Sequence, residues 1–333
     1  MRYLQTAHKN VKARLDAKDK KILSLLSQNA RMPLTKLAKE VGLSRDAVNY
    51  RIKNYEKEGI IQGYRTVVDL SVFGYKSNHL FVKLNNPSKE IEEVILKKLV
   101  SYPFVRAVIK FSGVYDFEVA FVSKHIEDLD EILTQIISDC AGSLQDYELL
   151  TISKTFAAET FPPNFLGNFI DKKSGKKKEI QPDQKDIDIL KLISENATLS
   201  LSEIALKVKL SADAVAYRLR QLQESGVIVK FIPVINYASL DYNLHTFLLS
   251  IRELDKEKEK TLRMFLSTDK NVLWAVKAIG RYNVLVYFLV KNVDELQETV
   301  LKLRSLFPNQ INRYESLIAY EEYKYVYFPK GLF

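Results

Sequence analysis

Apolar residues recur along this chain at two spacings, and the switches between them mark its elements. Ile22, Leu23, Leu25 and Leu26 give one side of a helix that Asp16 is placed to cap, with Asp19 in its first turn. Arg31-Met32-Pro33 ends that helix, Leu34, Leu37, Ala38 and Val41 mark a short second one, and Gly42 turns the chain into Leu43–Ile61. There Val48, Ile52 and Tyr55 fall at i, i+4 and i+7 on one helical face, with Ser44 as N-cap and Gly59 as a left-handed stop. The opposite face carries Asp46, Asn49, Tyr50, Lys53, Asn54 and Lys57, with Arg45 near the helix start. Ile60–Asp69 alternates, which predicts a small β-hairpin. Three short helices and a β wing form a winged helix-turn-helix, in which the third helix is presented to a DNA major groove.

Beyond Tyr75 the period changes. Leu80–Leu84 reads as a strand, Ser88–Ser101 as a helix, and Val105–Phe111 and Val114–Val122 as strands joined by a turn at Ser112-Gly113. Ile126–Cys140 reads as a helix and Leu144–Ile152 as a last strand, completing the β-α-β-β-α-β order of a ferredoxin-like domain. Phe161-Pro162-Pro163, two glycines and the run Lys172–Lys178 then suit an exposed connection, whose lysines either brush phosphates or serve as a solvated spacer.

The whole arrangement then returns at a constant offset of 167 residues. Asp19 aligns with Asp186, Ser44 with Ser211, Arg51 with Arg218, Gly59 with Gly226, Tyr75 with Tyr242, Gly113 with Gly280, Tyr115 with Tyr282 and Tyr147 with Tyr314. A register kept across so many elements signals duplication of a two-domain unit. The expected fold is α+β, two tandem repeats of a winged helix-turn-helix followed by a ferredoxin-like βαββαβ domain. The expected bounds are a basic tail at 1–15, winged helices at 16–69 and 183–236, ferredoxin-like domains at 75–158 and 242–328, and a linker at 159–182.

Composition narrows the chemistry. The 333 residues are 47% hydrophobic and 27% charged, ordinary globular material for several domains. The single cysteine, Cys140, sits in an apolar helix-like run, which suits a buried thiol and excludes an internal disulfide or a cysteine-built zinc site. His8, His79, His125 and His245 are scattered without metal-ligand spacing, and no glycine-rich phosphate loop or nucleophile elbow occurs. No metal, no cofactor and no catalysis are therefore expected. The start lacks the apolar core of a signal peptide and no apolar run approaches a membrane span, so a cytoplasmic, membrane-free protein is expected. The net charge of +9 is uneven: Met1–Leu15 and Asp16–Asp69 each carry +4, whereas Asp183–Asn236 balances 7 basic against 7 acidic residues. Positive charge gathered at the front suits a polyanion such as DNA.

These elements resemble the Lrp/AsnC transcription regulators. The residues that carry the resemblance are Asp16…Asp19…Ile22-Leu23, Val41-Gly42-Leu43-Ser44, Val48…Arg51-Ile52, Gly59-Ile60-Ile61 and Gly113-Val114-Tyr115-Asp116, with their counterparts Asp183…Asp186…Ile189-Leu190, Leu210-Ser211, Val215…Arg218-Leu219, Gly226-Val227-Ile228 and Gly280-Arg281-Tyr282-Asn283. The resemblance implies a DNA-binding winged helix followed by a ferredoxin-like domain that dimerises and, in many members, binds an amino acid. A doubled unit then implies a covalent pseudo-dimer whose sheets pack together, with further assembly into a homo-oligomer open. Siroheme decarboxylases share the architecture and are the enzyme alternative; those enzymes use histidines and basic residues to hold a tetrapyrrole, and the segments FSGVYDFEVAF and AIGRYNVLVYF hold no histidine.

In a helix-turn-helix the first turns of the third helix approach base edges, which here offers Arg45, Asp46, Asn49, Tyr50 and Lys53, with Ser44 at the cap. Arg pairs with guanine and Asn with adenine. Lys36, Lys39, Lys53 and Lys57 are phosphate candidates, and Arg51 is either a phosphate contact or an internal ion pair with Asp46 or Glu58. The second repeat keeps Ser211, Tyr217, Arg218 and Arg220 but has Ala212 and Ala216 for Arg45 and Asn49. For a small effector, Gly113, Tyr115 and Asp116 are candidates in the first repeat and Gly280, Tyr282 and Asn283 in the second. Asp116 could hold an α-amino group; the alternative is a turn that needs Gly113 for its geometry.

Overall fold

A computed structural model describes residues 14–140, 142–162, 165 and 180–333; the start of the basic tail and the run Lys172–Lys178 lie outside the described residues. In chain order the first repeat gives α1 (Ala17–Gln28), α2 (Leu34–Val41), α3 (Arg45–Lys57), β1 (Ile61–Val68), β2 (Lys76–Leu84), α4 (Lys89–Ser101), β3 (Val105–Ser112), β4 (Phe117–Ser123), α5 (Ile126–Asp139) and β5 (Leu144–Ala158). The second gives α6 (Gln184–Glu195), α7 (Leu201–Val208), α8 (Ala212–Glu224), β6 (Ile228–Ile235), β7 (Asn243–Ile251), α9 (Lys256–Thr268), β8 (Val272–Ile279), β9 (Val284–Val290), α10 (Val293–Leu306) and β10 (Ile311–Tyr325). These elements sort into two compact units, one made of residues 14–75, 180–236 and 326–333, the other of residues 76–140, 142–162, 165 and 237–325.

The first unit holds both helical heads. Asp16 and Asp19 exchange backbone-to-carboxylate hydrogen bonds at the start of α1 (2.7 and 2.8 Å), and Asp183 and Asp186 repeat the device on α6. Ile22, Leu23, Leu37, Val48 and Ile52 close one core; Ile189, Leu190, Ile204, Val215 and Leu219 close its copy. The expected hairpin at Ile60–Asp69 does not form. β1 is one strand, and its antiparallel partner is β6 of the other repeat, from Ile61 opposite Ile235 to Val68 opposite Ile228. Gly63, φ +148°, is a register break within β1 rather than a turn. Pairing with its copy satisfies the backbone of β1 along its length. The two heads are tied further by Ala30 N–H donating to Phe231 and Ala197 N–H to Tyr64. Arg31 donates to the carbonyls of Ala197 and Leu199 at 2.6 and 2.8 Å, past the C-terminal end of α6.

The other unit is a closed eight-stranded barrel, ordered β10-β3-β4-β2-β5-β8-β9-β7. Each repeat contributes the four-strand order of a ferredoxin-like sheet, and the two sheets meet along two seams. Those seams exist because β5 and β10 are long, β5 running past the Leu144–Ile152 strand expected from the sequence. Thr151–Ala158 pairs with β8, and Ile318–Tyr325 pairs with β3, so each long strand serves both sheets. Leu80, Val82, Phe117, Val119 and Phe121 face outward onto α4 and α5, and Phe247, Leu249, Val284, Val286 and Phe288 onto α9 and α10. Cys140 is buried in the first of these layers, and burial pushes its thiol up to about 11, which leaves it inert. Among the described residues no helix is long and apolar enough to cross a membrane.

Candidate nucleic-acid interface

The third helix of each head is positioned by the same three devices. Ser44 caps α3 by accepting from Ala47 N–H, and Ser211 caps α8 by accepting from Ala214 N–H, both at 3.1 Å. Val48, Ile52 and Tyr55, and Val215, Leu219 and Leu222, pin the inner face. The third device is an ion pair that the sequence left open. Arg51 joins α3 to the N-terminus of α1 through Asp16 (2.9 Å) and Asp19, and Arg218 joins α8 to α6 through Asp183 and Asp186 (both 2.8 Å). Asp46 and Glu58 are not its partners. Arg51 and Arg218 therefore each make an internal ion pair, one of the two roles the sequence left open for Arg51, with partners on the first helix of the head. Both guanidinium groups are held still more firmly protonated by these carboxylates, and the amide of Asp19 with Arg51 draws Asp16 below the usual carboxylate range.

What remains on the outer face differs between heads. On the first, Lys36 and Lys39 of α2 and Arg45, Tyr50, Lys53 and Lys57 of α3 are exposed, with Asn49 half-buried beside them. Among the described residues none of these cations enters an ion pair. On the second, Tyr217 and Arg220 are exposed in the same way. The offset of 167 replaces Lys36 by Glu203, Lys39 by an exposed Leu206 and Lys57 by Glu224, besides the two alanines at 212 and 216. Those three exchanges on α2 and the end of α3 were legible by alignment of the repeats alone and sharpen the contrast. The first face offers five lysines and arginines in reach of a polyanion; the second offers Arg220 with Lys207 and Lys209 at the end of α7.

The six effector candidates sit in the barrel unit, and each is committed to packing. Asp116 accepts from Leu84 N–H at 2.7 Å and lies 3.6 Å from Lys83 Nζ, bracing the end of β2. Asn283 braces β7 likewise, accepting from Ile251 N–H (3.0 Å) and donating to its carbonyl (2.8 Å). The change from Asp to Asn keeps that job, because both offer the acceptor it needs. Tyr115 and Tyr282 are buried, the first against Phe81 and the second donating to Glu315 at 3.3 Å. The turn geometry is thus the reading that the structure favours.

The two glycines are held by close approach across the seams. A Cβ on Gly113 would stand 2.7 Å from the Leu317 side chain, and one on Gly280 would stand 2.6 Å from the Leu149 carbonyl oxygen; both residues have positive φ (+149° and +157°). A side-chain tip can move where a backbone oxygen cannot. Gly280→Ala is therefore expected to cost about 3 kcal/mol and Gly113→Ala about half that, at the strained and overpacked end of such changes. Guanidinium unfolding checks the order; an equal loss at both would show that strain, not the backbone clash, sets the cost.

Comparison with known proteins agrees with this geometry. Residues 15–62 and 182–229 each match the family model for winged helix-turn-helix DNA-binding domains. Among curated relatives, the HTH-type transcriptional regulator LrpA of Pyrococcus horikoshii is 34% identical over 128 residues, which is 38% of this chain and 89% of that protein. FL11 of Pyrococcus furiosus, also an HTH-type transcriptional regulator, is 33% identical over 135 residues, covering 40% and 84%. Among solved structures, the siroheme decarboxylase NirDL covers 95% of this chain and 97% of its own, with a TM-score of 0.61 and 15% identity, a likeness of fold alone. The chain belongs to the Lrp/AsnC family of helix-turn-helix transcription regulators, with the family's unit present twice in tandem.

Proposed function

We propose that this regulator binds double-stranded DNA as a covalently fused pseudo-dimer in which the first head supplies most of the affinity and the base readout. The observation that carries the reading is the divergence of two otherwise matched faces. α3 presents Arg45, Asn49 and Lys53 flanked by Lys36, Lys39 and Lys57, whereas α8 presents Ala212, Ala216 and Arg220 flanked by Glu203 and Glu224. The shared β1–β6 pair and Arg31 support a fixed spacing between the heads, so that a site would carry two unequal halves read in one order. Modulation by a small effector such as an amino acid belongs to the same reading.

Arg45→Ala is expected to weaken binding about tenfold or more and to relax preference at one base pair, as loss of a bidentate Arg–guanine contact does. Arg220→Ala is expected to weaken it only a few-fold, for all sequences alike, and to flatten the salt dependence by about one charge. Selection from a random DNA pool at stated salt, followed by anisotropy titration of both variants, tests the proposal. An equal loss in the two variants would end the asymmetry, and no enriched motif would end specific readout. Titrating single amino acids into the same assay tests modulation, which an unchanged affinity throughout would exclude for that ligand class.

A further inference from the structure

The inside of the barrel is not symmetric, although the chain that builds it is repeated. Five inward positions form a polar and aromatic cluster, all buried but the half-buried Trp274. Glu118 on β4 is fully buried, and its Oε1 accepts from Tyr287 Oη and contacts His79 Nδ1, each at 2.5 Å. The His79 ring stacks on Trp274 (5.3 Å, 27°), which in turn lies 4.9 Å from Tyr287. Glu322 on β10 stands in the same cross-strand row as Glu118, with Ile109 between them. His79 and Glu118 come from the first repeat; Trp274, Tyr287 and Glu322 come from the second.

The counterparts 167 residues away are of another kind. His79 corresponds to Thr246, Glu118 to Leu285, Glu322 to Thr155, Trp274 to Ala107 and Tyr287 to Ala120. Ala107 and Ala120 are direct cross-strand partners, as Trp274 and Tyr287 are, and Ala120 also pairs with His79. The first-repeat face is therefore small where the second is large, and the two large rings of the second reach the histidine and carboxylate of the first.

From this geometry we infer that the inner faces of the two sheets are a matched pair that cannot be interchanged: a first-repeat face accepts a second-repeat face and rejects a copy of itself. Two first-repeat faces would set Ala107 and Ala120 against Ala107 and Ala120, leaving the space of the Trp274 and Tyr287 rings empty and each Glu118 without the Tyr287 hydroxyl. Two second-repeat faces would force four rings into the space of two and point each Tyr287 hydroxyl toward Leu285, which accepts nothing. Size and polarity thus reject both self-pairings, which is how a specific interface excludes a near-identical competitor. The sheet partner that this surface fits is a second repeat, so mixed barrels built from two first repeats or two second repeats are excluded. The inference extends the pseudo-dimer reading and is tested on folding alone, so a failure to bind DNA and a failure of the matched faces are separate results.

Three full-length chains test it, read by guanidinium unfolding and native mass. Trp274→Ala with Tyr287→Ala makes both faces small; Ala107→Trp with Ala120→Tyr makes both large. The third chain exchanges all five pairs, carrying the cluster to the counterpart positions: His79→Thr, Ala107→Trp, Glu118→Leu, Ala120→Tyr, Thr155→Glu, Thr246→His, Trp274→Ala, Leu285→Glu, Tyr287→Ala and Glu322→Thr. Each half-exchange is expected to lower the midpoint or to fail to give monodisperse protein, and the full exchange to regain at least half of the loss. A full exchange no better than the worse half-exchange, or a both-large chain as stable as wild type, would overturn the inference. Should the half-exchanges yield no protein, Tyr287→Phe decides. It should raise the unfolding equilibrium constant about tenfold in the wild-type background and less than twofold beside Glu118→Leu, and equal effects in the two backgrounds would overturn the inference.

Discussion

Asp19→Ala is expected to cost the first head about 3 kcal/mol and to abolish DNA binding at temperatures where wild type binds. Asp19 is buried and accepts from three donors: Asp16 N–H, the Arg51 guanidinium and, at 2.6 Å, the Tyr55 hydroxyl. Its loss strands a buried hydroxyl and removes one of the two carboxylates that hold Arg51, and breaking such a set costs about 3–5 kcal/mol. The lower figure applies because the Arg51 side chain is 30% exposed and keeps Asp16. Asp186 provides the control within the same molecule. Leu222 stands where Tyr55 does, so Asp186→Ala strands no hydroxyl, and Arg218 keeps two hydrogen bonds to Asp183. About half the cost is expected there. Unfolding by guanidinium, paired with anisotropy of a bound oligonucleotide, checks both; equal losses at Asp19 and Asp186 would show that the Tyr55 hydroxyl contributes nothing.

Stability is expected to fall by roughly 2 kcal/mol between pH 6.5 and 8 and then to level off, and Glu322→Gln is expected to remove that fall. Burial, reinforced by the charge of Glu118, pushes the Glu322 carboxyl from the usual 4.5 up to about 8. The groups facing it are Glu118 on β4, which carries His79 with it, and the phenols of Tyr237 and Tyr287. The folded chain keeps this proton up to about pH 8, whereas the unfolded chain releases it near 4.5. The folded state therefore binds more protons across that window, and its stability declines as the pH rises through it. At about 1.4 kcal/mol per pH unit, the interval from 6.5 to 8 accounts for the expected fall. Below it His245, whose pKa burial lowers, has the opposite sign, because its unfolded form takes up the proton that the buried ring refuses. Above pH 8 the glutamine variant should be the more stable of the two. Midpoints measured every half unit decide it; parallel curves for the two chains would mean that Glu322 ionises normally in the fold.

Several features were in reach of the sequence because they are local. Caps at Asp16, Ser44, Ser88 and Ser211, the apolar stripes and the ferredoxin-like order follow from periodicity and capping chemistry. The partners of Arg51 are also within reach of the sequence, since Asp16, Asp19 and Arg51 all recur at the same offset, although Asp46 and Glu58 are the carboxylates nearer to it along the chain. Other features were not in reach. Ser153–Ala158 alternates weakly on its own and becomes strand only because β8 lies beside it. Ile61–Val68 reads as half of a hairpin until β6 supplies the other half. The phosphate candidates and Arg45 stand exposed on α2 and α3, while Asp116 and Asn283 turn out to brace strands, because Leu84 and Ile251 come to them from 32 residues away.

The sequence by itself determined that the chain is a duplicated unit, which elements each unit contains, and that its two recognition helices share a scaffold and differ in what they present. Helix caps, stripes and internal repeats are short-range signals, complete within a few residues or at one fixed offset. Only the tertiary structure decided how the copies join: β1 with β6, the overrun of β5 and β10 into the opposite sheet, and the interior where His79 and Glu118 meet Trp274 and Tyr287. Those partners lie more than 100 positions apart, and nothing in the local pattern of either segment records the other. Backbone groups left open on a sheet edge, and a carboxylate left without a donor in a core, find partners only once both copies have folded.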